Sequence, residues 1–297
     1  MSVTALKEPP REARRSGTAE VLKMKPATAG RPARLPAIAR SIAVTVIPPL
    51  LMVLLLGLLW EILCSGPGAT LPPPSRIWAE SKDLILDPFF VAGPQDIGLG
   101  WRVLVSLQRV AVGFGLAAVA GIALGAVVGQ SVWAMRGLDP IFQVLRTVPP
   151  LAWLPIALAA FRDSNPSAIF VIFITAIWPI IINTAVGIRN IPQDYRNVAQ
   201  VLRLNPLEFF WRIMLPSAAP YIFTGLRIGI GLSWLAIVAA EMLTGGVGIG
   251  FFIWDAWNSS RLPDIIVALV YIGVVGFVLD RLVAGVGSFV TRGTQAA

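Results

Sequence analysis

Six apolar segments, each long enough to cross a bilayer as one helix, constrain this chain more than any other feature. Hydrophobic residues make up 56% of the sequence and charged residues 13%, whereas a soluble domain has about a quarter of its residues charged. A transmembrane helix needs about 20 mostly apolar residues. The sequence therefore predicts an all-α polytopic membrane protein with six transmembrane helices, over residues 42–64, 106–130, 139–161, 167–189, 218–242 and 264–290.

Proline pairs indicate where some of these helices begin. Asp139-Pro140 and Asn165-Pro166 each place a capping side chain before a proline that suits the first helical position. Pro263-Asp264 marks the start of the last span less strictly. We therefore expect helix starts at these three places.

The positive charge predicts the orientation of the chain. Residues 1–41 contain nine Lys and Arg against three Glu and show no hydrophobic period, which predicts a disordered tail before a permease domain at 42–297. A nucleic-acid-binding arm is the other interpretation, but basic tails before a span usually stay cytoplasmic. Six crossings then leave both termini in the cytoplasm, the loop of 65–105 outside, and Arg189, Arg196, Arg203 and Arg212 inside.

The residue types that the chain lacks argue against catalysis. The sequence has no histidine, and its one cysteine is Cys64. His-dependent triads and the usual metal ligands are therefore missing, and no paired carboxylates stand in for them. We expect no enzyme activity, no metal and no cofactor on this chain.

Small residues recur at helical spacing in two of the spans. In lipid such faces let helix backbones approach closely. They predict packing within the bundle, with a homodimer seam as the alternative. The two faces are Gly113, Ala117, Gly121, Gly125 and Gly129 in span two, and Gly225, Gly229 and Ser233 in span five.

A charged segment, residues 192–216, interrupts the apolar pattern between spans four and five; we call it the elbow. Pro192 can start a first short helix. Asn205, Pro206 and Glu208 have the spacing of a capping box that starts a second helix, and Leu215-Pro216 should end it. Phe209, Phe210 and Trp211 would then be exposed and could anchor a cytosolic partner protein.

The elbow resembles a motif of permease subunits of ATP-binding-cassette importers. That motif is Glu-Ala-Ala, three residues, Gly, nine residues, Ile-x-Leu-Pro, and its coupling helix docks on the ATPase. Here it aligns as Asn197-Val198-Ala199, then Arg203, then Ile213-Met214-Leu215-Pro216. The spacing and the ending are kept, while Asn197 and Arg203 replace the family's Glu and Gly.

Longer stretches, at 145–161, 177–195 and 220–260, resemble the nitrate, bicarbonate, sulfonate and taurine permeases, and the nitrate and bicarbonate branch most. The resemblance implies an inner-membrane permease subunit importing nitrate or nitrite, with bicarbonate, sulfonate or taurine as alternatives. It also implies a homodimer, two ATPase subunits that hold ATP and Mg, and an external solute-binding protein. The implied coupling residues are Asn197, Ala199, Leu202, Arg203, Leu204, Asn205, Pro206, Leu207, Glu208, Phe209 and Phe210.

Ionisable residues inside the spans are the candidates for a translocation pathway, because they usually face a cavity or a partner. Arg146 is the strongest, since Pro149 and Pro150 nearby free backbone groups. An anion would suit this arginine and the amides of Gln143 and Asn183. Arg227 is a further candidate for the pathway, while Arg109 and Arg227 could instead shape the fold near the span ends.

Glu241 ends span five before a glycine-rich run. It could gate the outer mouth, or it could accept backbone N–H groups from that turn, which we expect to lead into a short re-entrant helix near 250–257. The run lacks the Gly-Lys-Ser/Thr ending of a phosphate loop. Asp280 beside Arg281 could form a local ion pair or reach the elbow.

Two other classes of function are alternatives to the importer. A gradient-driven carrier would need buried carboxylates, for which Glu61, Glu241 and Asp280 are the candidates, but no pair of broken-helix repeats is evident. An intramembrane enzyme would need the catalytic groups that the sequence lacks.

Overall fold

A computed structural model describes residues 34–93 and 95–292 of the chain. The predicted tail therefore falls mostly outside the described residues, and the first helix, α1, already begins at Arg34 and runs Arg34–Cys64. The chain divides into two compact units within this helix, Met1–Leu56 and Gly57–Ala297. All of the helices after α1 belong to the second unit.

The described residues are helical almost throughout. Five segments are long and apolar enough to cross a membrane, and one bent pair of helices makes a sixth if it counts as one span. After α1 the helices are α2 (Pro74–Leu86), α3 (Leu99–Gln130), α4 (Val132–Leu145), α5 (Leu154–Phe161), α6 (Ser164–Arg189), α7 (Gln193–Val201), α8 (Pro206–Phe209), α9 (Leu215–Thr244), α10 (Ile249–Asn258) and α11 (Leu262–Thr291).

Helix α6 lies between α3 and α9 at the centre of the bundle. A Cβ atom added at Gly121 of α3 would lie 2.8 Å from Cγ2 of Ile180, and one at Gly225 of α9 would lie 2.9 Å from the carbonyl oxygen of Pro179. The two small-residue faces therefore pack on α6, as predicted for the bundle. The alternative that these faces form a homodimer seam is wrong, because α6 of the same chain covers them.

The third predicted span is broken. α4 and a segment that starts with a 3₁₀ turn, Pro150–Trp153, and continues as α5 meet at an angle of 92°. Proline lacks an N–H, and the residue before a proline avoids helical backbone. Pro149 precedes Pro150 and is extended, with φ −56° and ψ 131°. The consecutive prolines therefore cause the break.

Two helices begin upstream of the predicted starts. α4 is capped by the hydroxyl of Ser131, so that Pro140 lies inside the helix. α6 is capped by Asp163, whose carboxylate accepts the N–H of Asn165 at 2.8 Å. The starts predicted at Asp139-Pro140 and Asn165-Pro166 were therefore wrong. In each case a capping side chain upstream of the proline starts the helix earlier. Pro166 is tolerated because the N–H groups of the first helical turn have no partner within the helix.

Two short helices lie at the end of the bundle where α3 begins and α9 ends. α10 confirms the short helix predicted near 250–257. α2 lies within the predicted loop of 65–105 and was missed. The hydroxyl of Ser81 donates to Asp264 at 2.6 Å and that of Tyr271 to the carbonyl of Leu84 at 3.3 Å, and these bonds hold α2 against α11.

Candidate functional site

The first helix of the elbow ends in an unusual backbone conformation. At the end of α7 the N–H of Leu204 donates to the carbonyl of Ala199 at 3.1 Å, which is the bond of a Schellman motif. Arg203 has φ 47°, in the left-handed region. Glycine adopts that region at least cost. The family motif therefore has its glycine where this chain needs a left-handed residue, and Arg203 meets the same backbone requirement.

The second helix of the elbow begins as predicted but does not end as predicted. Asn205 Oδ1 accepts the N–H of Glu208 at 2.7 Å, and Glu208 Oε2 accepts the N–H of Asn205 at 3.1 Å. From α8 the helix continues through a π-helical turn, Phe210–Met214, into α9. The expected stop at Pro216 is wrong, because the wider π turn accommodates a proline that cannot bond four residues back.

One side of the elbow packs on the bundle and the other is exposed. Phe209 and Phe210 contact a buried cluster that includes Ile188 and Met214. Their exposure was expected only if nothing covered them, and the bundle covers both in part because the continuous helix turns them inward. Trp211 is 59% exposed, as expected. Other large apolar side chains of the elbow are exposed as well, among them Val198, Val201, Leu202 and Leu207.

A groove of about 360 Å³ separates α7 from α8. Ala199 is buried beside it, and Arg203, Leu204, Pro206 and Phe209 line it further. Asn197 lies on the exposed side of α7, where its carboxamide oxygen accepts the side-chain N–H of Gln193 at 3.3 Å. The predicted coupling residues thus lie on different sides of the elbow: some line the groove or pack inward, and the others are exposed.

A cavity of about 350 Å³ lies beside the break between α4 and α5. Its walls come from the broken segment, α6 and α9. Arg146 is the one charged residue in its lining, and the guanidinium has no ion-pair or hydrogen-bond partner in the described part of the chain. The other lining residues are Val148, Pro150, Trp153, Ile174, Thr175, Trp178, Pro179, Ile182 and Leu232.

The amides of Gln143 and Asn183 do not line this cavity. The side-chain N–H of Gln143 donates to Asp139 at 2.7 Å, and that of Asn183 donates to the carbonyl of Pro179 at 2.8 Å. Each amide is thus bonded within its own helix. Sequence reasoning missed Trp178 and Leu232 in the cavity lining. The apolar pattern of a span does not distinguish a residue that lines a cavity from one that packs in the core.

Arg227 makes a two-point ion pair with α11. Its Nε lies 2.5 Å from Oδ1 of Asp280, and its Nη2 lies 2.7 Å from Oδ2. The partner of Asp280 is therefore on α9 and not in the elbow, while the guanidinium of Arg281 lies over the ring of Phe277 at 4.9 Å. The sequence proposed both residues separately but could not pair them.

Glu241 is the centre of a buried polar cluster at the end of α9 remote from the elbow. Its side chain is 1% exposed and lies 2.7 Å from Nη1 of Arg109. The hydroxyl of Ser106 and the N–H of Gly250 also donate to it, at 2.8 and 3.0 Å. The expected bond from the glycine-rich turn is present, and Arg109 joins α3 to the turn through the carbonyl of Val247 at 2.8 Å.

These arrangements suit binding and movement. An unpaired guanidinium facing a cavity attracts an anion, and the elbow offers a protein partner an exposed apolar surface. Because α8, the π turn and α9 form one helix, a force on the elbow acts directly on a membrane span.

Comparisons with known proteins agree with this description. The family model of the binding-protein-dependent transport system inner membrane component matches residues 113–292. The nitrate import permease protein NrtB of Synechocystis sp. is 61% identical over 250 residues, which cover 84% of this chain and 91% of that protein. The bicarbonate transport system permease protein CmpB of the same organism is 52% identical over 251 residues, 84% of this chain and 90% of that protein.

A solved structure of the MetNI methionine ABC transporter in an inward-facing conformation has the same fold. The TM-score is 0.58 at 16% identity, over 65% of this chain and 96% of that chain. The family assignment overturns the gradient-driven carrier and the intramembrane enzyme. Such permease subunits catalyse no reaction and bind no cofactor, since partner subunits bind ATP. The chain therefore belongs to the binding-protein-dependent inner membrane components, the multi-pass permease subunits of ATP-binding-cassette importers.

Proposed function

We propose that this permease imports nitrate or nitrite. One observation carries the proposal: the nitrate import permeases of Synechocystis sp. and Leptolyngbya laminosa are 61% and 64% identical to the chain, against 52% for the bicarbonate permease of Synechocystis sp.. The cavity beside Arg146 supports it, because a single unpaired guanidinium favours a small monovalent anion over a cation or a neutral solute.

The cavity at the broken segment forms part of the translocation pathway in this proposal. Arg146 attracts the anion, while the apolar walls offer few further bonds and keep its affinity low. Arg227 is a second contact, and Gln143 and Asn183 become contacts only after their amides leave Asp139 and Pro179. Weak binding suits an importer whose binding protein selects the solute.

The elbow couples the permease to its ATPase subunits and lies in the cytoplasm. The exposed apolar side chains of the elbow and the groove between α7 and α8 support this role. Both termini then lie on the cytoplasmic side as well, and the cluster around Glu241 lies on the outer side, where it holds the glycine-rich turn in place and makes that part of the mouth rigid.

The permease works as a homodimer in this proposal, through the open face of α9. That face, defined by Tyr221, Thr224, Ile228, Gly231, Leu232 and Leu235, is exposed in the single chain. A Cβ atom added at Gly231 would have no neighbour within 4 Å. Small and polar residues on an exposed span face suit contact with another helix better than contact with lipid.

The test uses the permease with its ATPases and binding protein in liposomes. ATP-dependent uptake of labelled nitrate and labelled bicarbonate is measured side by side, with the proton gradient collapsed. We expect nitrate uptake that depends on ATP. Uptake of bicarbonate alone would replace the proposed substrate by the second candidate, which the 52% identity to CmpB favours.

A further inference from the structure

The ion pair between Arg227 and Asp280 is unusual because both residues lie in membrane spans and remain accessible. The side chain of Arg227 is 52% exposed and that of Asp280 is 34% exposed. Both carboxylate oxygens of Asp280 accept hydrogen bonds from Arg227: Oδ1 from Nε at 2.5 Å and Oδ2 from Nη2 at 2.7 Å. A guanidinium binds a planar carboxylate in this bidentate way because two parallel N–H groups match the two oxygens.

The pair lies deep enough to exclude a role at the membrane surface. α9 and α11 each have 30 residues. At 1.5 Å per residue, Arg227 is about 18 Å along α9 from Leu215, and Asp280 is about 17 Å along α11 from Thr291. If these helices are centred in a hydrocarbon layer about 30 Å thick, the pair lies roughly 10 Å inside it. Charges at such depth face water or protein, not lipid.

The neighbouring contacts show that α9 and α11 meet closely without the ion pair. A Cβ atom added at Gly276 would lie 3.1 Å from Trp234, and one at Gly287 would lie 3.1 Å from Phe223. These contacts lie on either side of Asp280 along α11. The indole N–H of Trp234 also donates to the carbonyl of Ile272 at 2.9 Å. Packing therefore already fixes the two helices, and the ion pair is free for another role.

Arg227 also borders the open face of α9. It precedes Ile228 of that face by one residue and follows Thr224 by three, so its position on α9 lies at the edge of the surface proposed to meet the second copy and the pathway. The carboxylate of Asp280 occupies the edge of the guanidinium formed by Nε and Nη2, and 52% of the Arg227 side chain is exposed, so a solute can approach the pair.

We propose that the guanidinium of Arg227 is a transit site for a planar oxyanion, and that Asp280 competes with the anion for it. This inference rests on the proposed function. Nitrate, nitrite and bicarbonate each present two oxygens in a plane, as a carboxylate does, so they can replace Asp280 on the same two N–H groups. When Asp280 returns, it expels the anion. No covalent bond changes, and the site stays weak because its own counter-ion is always present.

The first test measures binding without transport. The permease–ATPase complex in nanodiscs, without binding protein, is titrated with labelled nitrate. Asp280→Asn removes the competing charge but keeps the shape, so we expect the Kd for nitrate to fall at least fivefold, because an ion pair inside the bilayer is worth at least as much as a strong pair at a surface. Arg227→Gln should raise the Kd. Glu80→Gln is the control, because it breaks the exposed pair with Arg76 at 2.6 Å outside the spans. A Kd unchanged by Asp280→Asn would overturn the inference.

A second variant distinguishes a transit site from an ion pair that only holds α9 and α11 together. Arg227→Met with Asp280→Leu removes both charges and keeps apolar bulk between α9 and α11, a replacement that folded proteins often tolerate. We expect the complex to assemble with an unchanged Tm but to transport at least tenfold more slowly at saturating binding protein. Full transport by this double variant would show that the pair only ties the helices together.

The two proposals can fail separately. If the wild type carries bicarbonate and no nitrate, the proposed substrate is wrong, and the same titrations are made with bicarbonate, which tests the transit site equally. If the wild type carries nitrate and Asp280→Asn binds it no more tightly, the transit site alone is wrong.

Discussion

Arg203 shows how a single backbone conformation explains a departure from a family motif. Its φ of 47° ends α7 and turns the chain into α8. A residue with a Cβ atom pays roughly 1 kcal/mol or more for this conformation. Arg203 lines the groove between the two helices. This conformationally strained residue therefore lies where a partner protein could contact it.

Arg203→Gly should therefore stabilise the permease. We expect the free energy of unfolding to rise by up to ~1 kcal/mol, because glycine removes the left-handed strain. Thermal unfolding of the purified permease in detergent measures this change. The control is Gln200→Gly, which places glycine in the helical part of α7 and should lower the stability by about 0.5 kcal/mol. Equal losses of stability in both variants would contradict the argument.

At the scale of the element, the second half of the elbow and the fifth predicted span are one helix, Pro206–Thr244. The capping box fixes where α8 starts, and the π turn lets the helix pass Pro216. The inward aromatic residues, Phe209 and Phe210, tie it to the bundle. A movement of α8 therefore cannot be absorbed by a flexible joint and reaches α9.

Leu207→Asp tests whether the exposed side of this element binds the ATPase. Leu207 is 67% exposed, so the substitution should leave the fold intact. We expect the affinity for the ATPase subunits to fall at least tenfold, since a charge replaces an apolar contact at the centre of the proposed interface. Co-purification and a binding titration measure it. Leu71→Asp is the control, an equal change at an exposed leucine outside the elbow. Undiminished ATPase binding by Leu207→Asp would contradict the coupling role.

For the whole molecule, the proposed homodimer can be tested at the open face of α9. Gly231 has no neighbour within 4 Å of an added Cβ atom, and neither has Gly273 on α11. Gly231→Trp should therefore fold as a single chain but prevent dimer formation, because the indole fills the space that a second copy needs. Light scattering after size-exclusion chromatography measures the mass. Gly273→Trp, the matched control, should remain dimeric. A dimer that persists in Gly231→Trp would place the interface elsewhere.

The apolar pattern and the local signals determined a large part of this protein. Runs of about 20 apolar residues must become helices in lipid, since unpaired backbone groups are too costly there. Asn205, Pro206 and Glu208 specify the start of α8 through bonds within one turn, and the spacing to Pro216 indicated the family. Such features depend on neighbours in the sequence, which the sequence displays directly.

The tertiary structure decided what lies opposite each of these elements. Only the packing shows that Gly121 and Gly225 meet α6, that the prolines at 149 and 150 open a cavity at Arg146, and that Arg227 pairs with Asp280. The physical reason is that a contact between two helices depends on their rotation and approach. Many pairings satisfy the same apolar pattern, and close packing of the side chains selects one of them.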